Sequence, residues 1–127
     1  PMALKNESVE VIRGFCPDAV IGPVIPKTRK GDVAHVRPPP DSVKRQNETA
    51  NPGLIVFPKW VAGAALKIEE VPKADSFMML AMNAFNYELL GEASFLTVEK
   101  IINQSRCFRL EYSDLEQALE GIDALEA

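Results

Sequence analysis

The sequence predicts an α+β domain: a small mixed sheet, three helices in the C-terminal half, and a long proline-rich basic arm. Three observations carry this. Short stretches of two-residue alternation, together with one wholly apolar tetrapeptide, read as strands. Later segments repeat apolar residues at helical spacing, and strands followed by helices define the α+β class. Between them, residues 22–53 hold six prolines and six Lys/Arg with almost no continuous apolar run. At 127 residues the chain is one domain on length, 1–127, with 26–53 as the extended arm.

Taken in order, Ser8–Phe15 alternates Val9 and Val11 with Glu10 and predicts a half-buried strand. Cys16-Pro17-Asp18 breaks it, and residues 19–25, interrupted by Gly22-Pro23, form at most a short edge strand. A basic turn follows at 26–32, then a brief strand at 33–36 around His35. Arg37-Pro38-Pro39-Pro40 forces extended backbone, because three fixed φ angles favour polyproline II. No regular structure is expected over 37–53, which ends in the turn signal Asn51-Pro52-Gly53.

Residues 54–57 are wholly apolar and read as a buried strand closed by Pro58, and 65–71 as a further strand. Residues 74–90 form the clearest helix, capped by Asp75 or Ser76 and ended by Gly91. It is apolar almost all round, which means burial centrally or in an oligomer interface. Its Met/Phe stripe is read as core. A second helix spans 92–104, a strand 107–112, and a last helix opens at the capping box Ser113-Asp114-Leu115-Glu116.

Charge is divided unevenly. Residues 1–60 hold nine Lys/Arg against six Asp/Glu, and residues 61–127 hold five against twelve. The stretch 27–46 nets +4, whereas 111–127 has six acids and no base. Such asymmetry speaks to partners and not to fold. Cys16 and Cys107 are the only cysteines and are expected as free thiols of a cytoplasmic protein. The first residues lack the apolar segment of a signal peptide, no run reaches membrane-spanning length, and Pro1 ahead of Met2 reads as an added residue.

Chemistry-bearing patterns are sparse. His35 is the only histidine, so an imidazole mechanism must use it, and a Cys16–His35 dyad has no local signature around either residue. One His and two distant Cys do not compose a metal site, and no glycine-rich loop leads into a helix to hold a cofactor phosphate. No metal, no cofactor, no catalytic residue and no membrane contact are expected.

The basic residues Lys27, Arg29, Lys30, Arg37, Lys44 and Arg45 are the candidates for contact with a partner or with nucleic acid. Aromatic residues for base stacking are missing from the arm. Val33, Val36, Pro38, Pro39 and Pro40 in the arm, Trp60, and Leu119, Ile122 and Leu125 in the last helix are the candidate oligomer interface. Opposite charge on arm and tail suits head-to-tail contact between copies.

The first reading is therefore a non-enzymatic assembly or interaction protein that self-associates, or binds another protein, through its arm. Nucleic-acid binding by the same arm stands second, and a small enzyme using Cys16 and His35 third.

Overall fold

The computed structural model describes residues 2–126; Pro1 and Ala127 lie outside the described residues, and the reading of Pro1 as an added residue falls there. The described chain is mixed α and β, with six strands in two small sheets and six helices. It divides into two compact units, one ending at Thr49 and the other beginning at Ala50. That division falls within the stretch 26–53 expected as an arm.

In the first unit, β1 (Met2–Lys5) and β2 (Ile25–Thr28) pair antiparallel on either side of β3 (Gly31–Val36). Ala34 and Val36 of β3 point inward and, with Val9, form the buried core of the unit. The segment expected as an edge strand over 19–25 contributes only an isolated bridge, Ile21 to Val36, interrupted where Gly22-Pro23 cannot continue a ladder.

Ser8–Phe15 corrects the expectation of a strand: it is helix α1. Alternation covered only three residues, whereas Val9 and Ile12, three apart, are the side chains that turn inward. The Ser8 hydroxyl locks its start by accepting from the Lys5 amide and donating to the Lys5 carbonyl, both at 2.7 Å. Residues 26–53 do not form one extended arm. The part up to Val36 belongs to the sheet, and Pro40–Lys44 is a helical turn, α2. A proline at the first helical position costs nothing, since its missing N–H has no intrahelical acceptor anyway. Residues 48–53 carry no regular structure.

In the second unit, β4 (Leu54–Trp60), β5 (Lys67–Glu70) and β6 (Arg106–Tyr112) form a sheet in the order β4-β6-β5, with β4 parallel and β5 antiparallel to β6. Central β6 supplies the buried Cys107, Phe108 and Leu110. The intervening helices are α3 (Lys73–Asn83), α4 (Tyr87–Leu90) and α5 (Glu92–Gln104). On the Cys107 face, Val71, Val98 and Ile102 make a core onto which Ile55, Phe57, Phe77 and Leu80 pack.

The other face carries α6 (Leu115–Glu126), which buries Ala118. At Gly121 a β-carbon would come within 2.7 Å of the Ile68 Cδ1, so the missing side chain lets helix and sheet approach closely.

Local expectations change here: neither Asp75 nor Ser76 caps α3, which begins at Lys73 after Pro72, and the Ser76 hydroxyl donates to the Val71 carbonyl at 3.2 Å. The helix foreseen over 74–90 stops at Asn83 and restarts at Tyr87. Asn83 turns its amide back to the Met79 carbonyl at 2.8 Å, and Asn86 adopts positive φ, so both asparagines act as helix ends. At α6 the cap is Asp114, whose Oδ1 accepts from the Gln117 amide at 2.9 Å; Ser113 instead donates to the Ala64 carbonyl.

Candidate functional site

The interruption of the α3–α4 segment decides what the second unit shows to solvent. A helix apolar on most sides can bury only one face against a sheet, so Met78 and Met82 of α3 face outward, and past the break Phe85, Leu89 and Leu90 do the same. Met78, Met82, Phe85, Leu89, Leu90 and Phe95 are between 48% and 95% exposed, Phe85 the most. Their base is ordered. Phe77 meets Tyr87 edge-on at 6.5 Å between ring centroids and Phe95 at 5.1 Å, so one aromatic trio ties α3, α4 and α5 together.

Beside this ridge lies an open groove of about 760 Å³ lined by Met78, Ala81, Met82, Ala84, Tyr87 and Leu89. Ala84 and Tyr87 also line a smaller depression of about 250 Å³ with Phe85 and Leu90, so ridge and grooves are continuous. The expectation that the Met/Phe stripe is core holds for Phe77, Met79 and Leu80 alone, which pack on the buried cluster.

The basic residues are distributed differently from a continuous stripe. Thr28 and Gly31 close a tight β2–β3 turn that holds Arg29 and Lys30 at its tip. Thr28 Oγ1 donates to the Gly31 carbonyl at 2.6 Å and accepts from the Lys30 amide, while Asp32 accepts from the Lys27 amide. Lys27, Arg29, Lys30 and Arg37 are exposed and, among the described residues, have no carboxylate partner. Lys44 and Arg45 pair with Asp41 and Glu48 at 3.3 and 2.7 Å. Exposed pairs of this kind contribute little to stability, yet they leave fewer cations unengaged.

The remaining candidates are scattered. Val36 is buried in the first core and Val33 is half-buried; Pro38 is half-buried, with Pro39 and Pro40 exposed. Trp60 is 62% exposed, its indole N–H donating to the Ser113 carbonyl at 3.1 Å. Leu119 is exposed, whereas Ile122 and Leu125 are half-buried along α6.

Cys16 is exposed at the end of α1, His35 is exposed on β3, and Cys107 is buried in the other unit. Among the described residues no hydrogen bond joins Cys16 to His35, and no group of three His, Cys, Asp or Glu is placed to hold a metal ion. No described helix is long and apolar enough to cross a membrane.

No family model matches this chain, and neither the curated proteins nor the solved structures contain a match to it. Function therefore has to be argued from the surfaces themselves.

Proposed function

We propose that this chain is a non-enzymatic assembly protein whose second copy covers the apolar ridge of α3, α4 and α5. The exposure of that ridge is the observation that carries the reading. At about 200 Å² of surface per large side chain, its six residues present on the order of 850 Å². A standard interface takes roughly 800 Å² from each partner. Patches of that size on a monomer mark interaction sites.

Two features favour a copy of the same chain. Knob and groove lie on one continuous surface: Phe85 projects beside a groove large enough to receive it, as a two-fold contact requires. The residues that build the ridge also come from a stretch, 74–99, with no Lys or Arg but with Asp75, Glu88, Glu92 and Glu99. An anionic membrane or a nucleic acid finds no cation in that stretch to pair with. The ridge is preferred to residues 26–53 as the route of contact, because Val36 is core and the β2–β3 turn is polar.

Light scattering of variants tests this. Phe85→Asp is expected to reduce the mass to that of a monomer, while Val20→Asp, which adds the same charge at an exposed valine of the first unit, leaves it unaltered. Equal masses for Phe85→Asp and the unmodified chain count against the ridge.

Nucleic-acid binding stands second, supported by Lys27, Arg29, Lys30 and Arg37, four exposed cations without a carboxylate partner among the described residues. It requires retention of a generic oligonucleotide that falls steeply with salt, and no retention at low salt ends it.

A further inference from the structure

A second cavity, of about 480 Å³, lies in the second unit where the outer edge of β4 meets α3. Its lining includes Ile55 and Phe57 from β4 and Met79, Leu80 and Asn83 from α3. Lys59 and Arg109 line it and also line a charged shelf shared with Lys67, Glu69 and Glu111.

Strand register explains the shelf. Phe57, Arg109 and Glu69 are neighbours across the sheet, and Lys59, Glu111 and Lys67 form the next row on the same face. Of these charges only Lys67 and Glu69 pair with each other, at 3.0 Å. Among the described residues neither Lys59 nor Arg109 has a carboxylate within ion-pair distance. Among the described residues the Arg109 guanidinium has one hydrogen-bond acceptor, the Met79 sulfur at 3.7 Å. A guanidinium held over an apolar slot with a thioether as its acceptor lacks the oxyanion that such a donor set matches best.

We infer that this slot binds an amphipathic carboxylate, its apolar chain between β4 and α3 and its anionic head on Arg109 and Lys59. The volume lies within the range of small-molecule sites, and the lining has the usual makeup of apolar walls with a few placed polar groups. Among the described residues Glu111 is the shelf acid outside any ion pair; it stands between Lys59 and Lys67 in register, so Arg109, in the row beside Phe57, is the head's first anchor and Lys59 its second.

An added β-strand is not the occupant. The Gly53 carbonyl and the Val61 amide bond to β6, so in a parallel ladder the even-numbered residues of β4 turn their backbone groups to the open edge. Pro58 is among them and has no N–H to offer in the middle of that edge.

Methionine ε-methyl NMR on the full chain tests the inference, because Met79 lines this slot while Met78 and Met82 line the ridge groove. Titration with octanoate is expected to shift Met79 and leave Met82 in place. Octanol and octylamine are expected to bind at least tenfold more weakly, as is octanoate to Arg109→Gln, because a charge-assisted hydrogen bond is lost. An unmoved Met79 signal, shifts at Met82 in its place, or equal affinity for octanol overturns it. The ligand series needs no variant, so a folding defect in Arg109→Gln leaves the test intact.

Discussion

At Gly31 the backbone turns with φ of +88°, and a β-carbon there would collide with the Asn6 side-chain amide. That amide oxygen accepts from the Asp32 N–H at 3.0 Å, so the glycine is what lets Asn6 dock on the β2–β3 turn. Gly31→Ala is expected to lose about 1–3 kcal/mol through backbone strain and the displaced contact, read from urea denaturation. A loss below a few tenths of that contradicts the account. Single residues were also where the sequence was hardest to read. Asn83 and Asn86 look like a polar stripe along one helix until their backbone roles are known. The capping box at 113–116 reads as capped by Ser113, but that hydroxyl goes to the Ala64 carbonyl and Asp114 takes its place.

Elements with strong, long patterns were legible: β6 by alternation and α5 by its apolar spacing; the apolar run marked the start of β4, which is half-buried there and continues through Pro58 to Trp60. Short patterns were not. Three alternating residues cannot distinguish a strand from one turn of helix, so α1 is misread. The prolines of 38–40 signal both extended backbone and a helix start, and the structure uses them in both ways.

The last helix shows an interaction between elements that no local pattern reveals. Its acids sit at the negative end of the helix dipole, yet the Arg106 guanidinium of β6 donates to the Leu125 carbonyl at 3.0 Å and lies 5.0 Å from the Phe108 ring. Arg106→Gln is expected to cost about 0.5–1 kcal/mol, concentrated in the last turn of α6. Amide exchange over residues 122–126 checks it, and unchanged protection there argues against a capping role.

For the whole molecule, composition announced a charge asymmetry, and the two units keep it in slightly weaker form. Residues 1–49 carry eight Lys/Arg and six Asp/Glu, and residues 50–127 carry six and twelve. The fold class was legible because it rests on the order of patterned segments. The site was half legible. An all-round apolar helix announces either core or interface, and only coordinates show that Met82, Phe85 and Leu89 reach solvent while Phe77 and Leu80 do not. The helix break that sets Phe85 and Leu89 apart from α3 depends on backbone geometry at Asn86, which sequence periodicity does not register.

Native mass of the unmodified chain, followed from dilute to concentrated solution, bears most directly on self-association through the ridge. The account predicts a dimer population that grows with concentration and persists at high salt, since the contact is apolar. A monomer mass throughout the range would contradict it.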